Sequence, residues 1–428
     1  MSIAFGLDFG TSNSALSANE GGHVRLLDID AHNPIALTLK SVLFFCREEK
    51  EKKIYAGYDA VQKYMETEGE GRYMQSIKSF LPDASFDKTE IFNKNYSLAE
   101  LIAFMLKTIK TRGEAVVKQE VNDVLLGRPV VFSEDRKKDA LAQQRLVEAA
   151  KIAGFKNVRF QLEPIAAALS YENRLGLNDE KIILVGDFGG GTSDFTILKA
   201  SKKSQGKADR LNDILATGGV YIGGDSFDSA IMWEKVCQYY GRYVKAKSIM
   251  SDHRHGLPSL VMNKLRRWHL IPLLRSMKTM RDIKEFKYLA TGADKQLIEN
   301  LENLIHYNYG YLLFQAIEKS KCELSSKADS RIYFNDCDIF INEAITRPEF
   351  DGYIKGDVLG IEKCLDRLMS DAGVSPGNID AVFLTGGSSF IPAIKKIFKK
   401  KIPSKKIIQS DAFTSVSFGL GLDCSTYF

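Results

Sequence analysis

The chain is short of several features that would assign its class at once. It has only ten prolines and no tract rich in glutamine, serine or proline, so nothing marks a disordered linker. Its six cysteines (Cys46, Cys237, Cys322, Cys337, Cys364 and Cys424) form no C-x-x-C pair and have no histidine at ligand spacing. Neither a disulfide framework nor a zinc site is therefore indicated, and they read as buried thiols in a reducing compartment. No window approaches the ~18 uninterrupted apolar residues of a membrane span, and Met1 runs into a strand pattern without a basic and apolar leader. The expectation is a cytoplasmic protein with no membrane partner. The balance of 59 Lys and Arg against 54 Asp and Glu leaves +5, too little on this length to argue for nucleic acid, and none is expected as a partner.

What is present is the composition of a globular chain, 44% hydrophobic and 26% charged over 428 residues. That length exceeds one compact core and falls short of three ordinary domains. Two lobes are expected, residues 1–180 and 181–428. Near the start, Ile3-Ala4-Phe5-Gly6-Leu7 leads through Asp8-Phe9-Gly10-Thr11-Ser12-Asn13 into Ser14-Ala15-Leu16: an apolar strand, a glycine-bearing turn and a return strand. Much later, Ile182-Ile183-Leu184-Val185-Gly186 leads through Asp187-Phe188-Gly189-Gly190-Gly191-Thr192-Ser193-Asp194 into Phe195-Thr196-Ile197-Leu198. The repeated plan suggests two half-chains built alike, their hairpin tips facing each other across a cleft.

Between the turns, residues 97–111 and 133–153 have apolar residues at helical spacing, and each opens on a serine, Ser97 or Ser133, able to cap its first turn. Residues 124–132 and 158–161 read as buried strands, so strand and helix alternate and favour an α/β half with a partly parallel sheet. From about 218 to 332 the patterns lengthen, notably at 256–289 and 294–326, which predicts a mostly helical subdomain at about 225–330. Residues 379–389 form a strand ending in Gly386-Gly387. A helix follows, starting near Ile391-Pro392 and ending in Lys399-Lys400-Lys401, with proline and lysines where helix ends accept them.

Turns rich in glycine and hydroxyls present backbone N–H groups without obstruction, which is how the oxygens of a polyphosphate are held. Carboxylates beside such a turn repel phosphate unless a cation intervenes, so Asp8, Asp187 and Asp194 imply Mg²⁺. The expected ligand is a nucleotide, ATP or ADP with that metal. Neither turn is a Walker loop, because no Gly-Lys-Ser/Thr follows, and neither is a Rossmann fingerprint, because a strand rather than a helix follows Gly191. One such turn alone would read as an ordinary tight hairpin; two, with Gly386-Gly387, shift the balance.

Eight pieces carry a resemblance over nearly the whole chain. They are Gly6-Leu7-Asp8-Phe9-Gly10-Thr11-Ser12-Asn13-Ser14, Ile77-Lys78, Gly127-Arg128-Pro129-Val130-Val131-Phe132, and Leu162-Glu163-Pro164-Ile165-Ala166-Ala167-Ala168-Leu169-Ser170-Tyr171. Then come Gly186-Asp187-Phe188-Gly189-Gly190-Gly191-Thr192-Ser193-Asp194, Ile222-Gly223-Gly224-Asp225-Ser226-Phe227-Asp228, Ile317-Glu318-Lys319-Ser320-Lys321-Cys322-Glu323-Leu324-Ser325-Ser326, and Thr385-Gly386-Gly387-Ser388-Ser389-Phe390-Ile391-Pro392. In this order they resemble the nucleotide-binding domain of the 70-kilodalton heat-shock chaperone family. That resemblance implies an α/β, two-lobed actin-like ATPase fold with a duplicated ribonuclease-H-like motif.

The resemblance further implies that Asp8, Asp187 and Asp194 surround a hydrated metal. Gly10, Thr11, Ser12 and Asn13 with Gly189, Gly190, Gly191 and Thr192 would grip phosphate oxygens or the attacking water. Lys78 would neutralise the terminal phosphate and Glu163 would orient the water, because this chemistry needs positioning and charge stabilisation. Glu318, Lys321 and Ser325 would contact adenosine, Gly223 and Gly224 would bind the nucleotide, and Gly386, Gly387 and Ser388 would form its final contacting turn. The proline matching Pro129 relays nucleotide state in the family. Without the resemblance, Lys78 would read as a solvated lysine and Glu163 as a carboxylate favouring a helix start.

Two departures stand out. Where the family often sets arginines against adenine, this chain has Cys322 and Phe390; Phe390 can stack on a base but adds no cation–π contact. The chain also ends about where the family's linker to a peptide-binding domain would begin, so the expectation is a slow ATPase switch without that domain, working with protein clients or co-chaperones. A sugar-type kinase and a filament-forming ATPase of the same superfold are the alternatives. Residues 242–287 carry twelve Lys and Arg against three Asp and Glu. Leu257, Leu260, Val261, Leu265, Trp268, Ile271, Leu274 and Met277 recur there at spacings of three and four, which predicts amphipathic helices with solvated outer faces.

Overall fold

A computed structural model describes residues 3–49, 51–67, 69–175, 180–201, 206–207, 209–247, 253–336, 338–402, 407–409 and 414–428. The chain divides into two compact units, one of Met1–Tyr221, Ile361–Ser389 and Ile394–Phe428, the other of Ile222–Gly360 with Phe390–Ala393.

The first unit holds two sheets of the same plan. In one, the strand Ile3–Phe9 pairs antiparallel with its hairpin partner Asn13–Glu20 and parallel with Asp123–Arg128, giving the order Asn157–Leu162, Asp123–Arg128, Ile3–Phe9, Asn13–Glu20, His23–Leu26. In the other, Lys181–Phe188 pairs antiparallel with Ser193–Ala200 and parallel with Ala381–Thr385, with Ile214–Val220 and Ile407–Gln409 at the edges. Each central strand is apolar up to its closing aspartate, over residues 3–7 and 182–186, because it is covered on both faces. The fold is thus mixed α/β with a duplicated sheet motif, as the family resemblance implies.

Helices Glu163–Leu175 and Ser415–Tyr427 pack between these sheets. Ala4 and Leu125 from the first sheet and Ile183, Val185 and Phe383 from the second meet Ile165, Ala166, Val416 and Leu420 in one apolar cluster. The approach is so close that a Cβ on Gly419 would lie 1.8 Å from Ala166 O, and one on Gly6 would lie 2.4 Å from Gly421 N. Polar pins set the register: Ser17 Oγ donates to Ser417 O at 2.6 Å, Asn19 Nδ2 to Gly421 O at 2.8 Å, and Gln161 Nε2 to Asp423 at 2.7 Å. Truncating Leu420, fully buried here, to alanine costs about 2–5 kcal/mol.

Helices Leu98–Val117 and Arg136–Ile152 pack on each other, and their apolar faces join Phe5, Leu7 and Phe9 in a second core. Ser97 caps the first of them as expected, in a reciprocal box with Glu100. The second is capped by Asp135 rather than Ser133, because the Asp135 carboxylate reaches the amides of Lys137 and Lys138. The strand expected over 124–132 stops at Arg128. Pro129 has no N–H for the ladder, and the Arg128 guanidinium turns back to Pro129 O and Asp139.

In the second unit the long helical run expected at 256–289 is broken into Ser259–Leu265, a 3₁₀ segment Trp268–Arg275 containing Pro272, and Met277–Leu289. Val261, Leu265, Ile271 and Leu274 are buried as expected, whereas Leu260 and Met277 face solvent. Ala293–His306 and Gly310–Leu324 follow. The hairpin Asp329–Asp336 with Ile339–Thr346 is an addition to the sequence reading; it buries alternate residues, Ile332, Phe334, Ile339 and Ile341. Cys46, Cys237 and Cys424 are buried, but Cys322 is exposed and Cys364 half-buried; Cys337 lies outside the described residues. No helix among the described residues is long and apolar enough to cross a membrane.

Candidate functional site

The two hairpin tips of the first unit carry the expected residues at matching places. Asp8 precedes the first turn at the end of its strand, and Gly10 packs so tightly there that a Cβ would fall 2.1 Å from Asn13 O. Thr11, Ser12 and Asn13 are half-buried around it. In the second tip Asp187 stands opposite Asp194 in the antiparallel register, and Thr192 Oγ1 donates to Asp194 Oδ2 at 2.8 Å. A Cβ on Gly191 would meet nothing within 4 Å, so open space lies before this turn. Gly189 and Gly190 are half-buried beside it.

Gly386 ends the neighbouring strand at φ +82°, where a Cβ would strike Phe188 O at 2.1 Å. The 3₁₀ turn Gly387–Phe390 begins there, with Ser388 buried.

Lys78 lies in the short 3₁₀ turn Ile77–Phe80, entered through Ser76 in the left-handed region at φ 57°. Its Nζ meets Glu163 Oε1 at 2.8 Å, both side chains nearly buried at 11% and 15% exposure. Glu163 opens the helix Glu163–Leu175. Gly127, which sequence reasoning passed over as a site residue, makes room for it: a Cβ there would sit 3.2 Å from Glu163 Cγ. Glycine inside a strand was the available signal.

The electrostatics follow from four carboxyls gathered around one ammonium. Burial raises Asp8 to about 7, with repulsion from Glu163 adding to it and Lys78 opposing. Asp187 rises to about 8, first through burial, then through Glu163, Asp8 and Asp194. Asp194 reaches solvent, yet the protein packed around it still raises its carboxyl despite the Thr192 hydrogen bond. Burial works against the Lys78 charge, but Glu163, Asp8 and Asp187 outweigh it and hold the ammonium above its usual value. Negative charge in excess of the one Lys78 ammonium fits a divalent metal. Asp8, Asp187 and Asp194 do not converge as a three-ligand cluster, so a metal among them would be reached partly through water.

Among the described residues the group that does converge, with ligand atoms within 4.8 Å, is Asp30, His32 and Asp59. Arg112 already stands among them, 3.0 Å from Asp30 Oδ1 and 2.6 Å from Asp59 Oδ2.

The remaining sequence-derived residues belong to the second unit. Lys321 Nζ donates to Asp228 Oδ2 at 2.8 Å and to Gly224 O at 3.2 Å, both side chains nearly buried. Gly223 precedes the helix Gly224–Ile231, whose first residue is Gly224. Glu318 is exposed on Gly310–Leu324, and Ser325 ends that helix, its amide donating to Cys322 O at 3.1 Å. Phe390 is 37% exposed.

Compared with known protein families, the chain matches the model of Hsp70 protein over residues 4–254 and 306–425. All eight motif pieces fall inside those matched stretches, while most of the basic helical segment lies in the unmatched interval. With most of its length matched in this way, the chain belongs to the Hsp70 family.

Proposed function

We propose that the chain is a slow ATP-hydrolysing nucleotide switch of the heat-shock type, in which ATP and ADP favour different conformations that a protein partner reads. Family membership supports a chaperone-type ATPase domain. The observation that carries the reading is the nearly buried Lys78–Glu163 ion pair beside Asp8, Asp187 and Asp194.

The halves 1–180 and 181–428 would each supply one turn. Thr11, Ser12, Asn13 and Gly189, Gly190, Gly191 would bind phosphate oxygens through backbone N–H groups. Lys78 would offset charge on the terminal phosphate, and Glu163, held by Lys78, would orient the attacking water together with Thr192. Mg²⁺, when bound through Asp8, Asp187 and Asp194, would supply the charge neutralisation that lets phosphate approach these carboxylates. In the first unit Gly386, Gly387 and Ser388 would contact nucleotide; in the second, the resemblance assigns Glu318, Lys321 and Ser325 to adenosine and Gly223 and Gly224 to the nucleotide. Client proteins or co-chaperones are the proposed partners. A cytoplasmic, reducing setting is part of the proposal, on the scattered spacing of the cysteines and the lack of a C-x-x-C pair.

The test is phosphate release from Mg-ATP with and without glucose and glycerol, run beside light scattering. Slow release indifferent to both sugars, with no rise in scattering, is the expected result. ADP formation that depends on a sugar, or polymerisation on adding ATP, would replace the switch by a kinase or a filament.

A further inference from the structure

We propose that Ser41 is a positioning residue that aims the backbone amides of the first phosphate turn. This rests on the reading of that turn as a phosphate grip. Ser41 is 2% exposed and follows the short strand Thr38–Lys40, which pairs with Asn13, Ser14 and Ala15 and so brings Ser41 behind the turn. Its hydroxyl donates to Gly10 O at 2.7 Å, and its backbone N–H donates to Ser12 O at 2.9 Å. A serine hydroxyl has one proton, already given to Gly10 O, so the 3.0 Å contact between Ser14 Oγ and Ser41 Oγ has Ser14 as donor.

The consequence comes from peptide geometry. In a planar trans peptide the C=O and the N–H point in opposite directions. Turning Gly10 C=O toward Ser41 therefore turns Thr11 N–H away from it, and turning Ser12 C=O toward Ser41 turns Asn13 N–H away likewise. One residue fixes two alternate peptides, so two donors are presented on the face opposite Ser41. The tight packing of Gly10 on Asn13 O keeps the turn from relaxing in another way. Preorganised donors of this kind matter for an anion because they need no rearrangement when it arrives. The ligand chemistry is a pyrophosphate moiety, whether in ATP, ADP or the free ion.

The test is calorimetric binding of ATP, inorganic pyrophosphate and adenosine, all in Mg²⁺, to wild type, Ser41→Ala and Ser14→Ala. Loss of the Ser41 hydroxyl should weaken ATP and pyrophosphate by roughly tenfold and leave adenosine within twofold, as expected for one lost hydrogen bond and a freed peptide. Ser14→Ala, which leaves the Ser41 bond to Gly10 in place, should weaken them by about twofold on the same reasoning. Retention of ATP and pyrophosphate affinity in Ser41→Ala, or an equal loss for adenosine, would overturn the assignment. Absence of ATP and pyrophosphate binding in wild type would instead overturn the phosphate reading beneath it.

Discussion

Two acidic clusters in the same compact unit invite comparison. Asp30 and Asp59, with His32 bonded to Asp59 at 2.8 Å, have the tighter spacing of the two, and on distance alone they are the better metal site. Arg112 bridges both carboxylates and also donates to Ile29 O, so that cluster is neutralised from within. Asp8, Asp187 and Asp194 are more spread, and their one nearby ammonium, Lys78, is committed to Glu163. The difference teaches that unbalanced charge, rather than proximity, marks where a cation is wanted. Burial first, and then the neighbouring carboxylates, raise Asp8 to about 7 and Asp187 to about 8.

The largest expected effect separates the clusters by activity. Lys78→Ala should slow phosphate release by roughly 10²–10³-fold, the usual cost of removing one preorganised charge-stabilising donor, with ATP affinity nearly kept. Arg112→Gln should leave the rate unchanged. An equal rate in Lys78→Ala would break the catalytic side of the comparison.

The next effect is on stability. Arg112→Gln strands the fully buried Asp30 carboxylate and should cost about 2–3 kcal/mol in urea denaturation. That is below the figure for fully buried pairs because the Arg112 side chain is 26% exposed and that of Asp59 34%. With the guanidinium gone, Zn²⁺ should raise the melting temperature of the variant and not of wild type. Zinc stabilising both equally would mean that Arg112 is no substitute for a metal.

A pH effect in EDTA belongs to the other cluster. Asp8 and Asp187 titrate at about 7 and about 8 when folded, against 3.8 as ordinary carboxylates, so between these values the folded chain holds more protons than the unfolded one. Stability of the metal-free protein should therefore fall as pH rises from 6 to 8.5, and less steeply in Asp187→Asn. A curve that rises over this range would contradict the burial of unbalanced charge. Smallest is Asp59→Asn, a partly exposed ion-pair partner, whose loss should cost at most about 1 kcal/mol with phosphate release unaltered.

What was legible in the sequence follows range of interaction. The turns at Asp8 and Asp187 announced themselves because a tight hairpin writes its glycines and hydroxyls into adjacent positions. Lys78 and Glu163 are 85 positions apart, and only family resemblance joined them. Arg112 reaches Asp59 across 53 positions, and Ser41 reaches Gly10 across 31, so neither announced a role. Cys322 was misjudged because a thiol's usual burial yields to the face of the helix on which it falls. The hairpin beginning at Asp329 had a period-two signal in Ile332, Phe334, Ile339 and Ile341 that the preceding helical texture obscured.

The most direct test of the central claim, that the unbalanced carboxylates serve a metal–nucleotide complex, is calorimetric ATP binding in Mg²⁺ and in EDTA for wild type and Asp187→Asn. Wild type should bind at least about tenfold more tightly with Mg²⁺, a difference of ~1.4 kcal/mol. In the variant the two affinities should converge, partly because ATP in EDTA meets one carboxylate fewer. Equal affinity in wild type with and without Mg²⁺ would contradict the account.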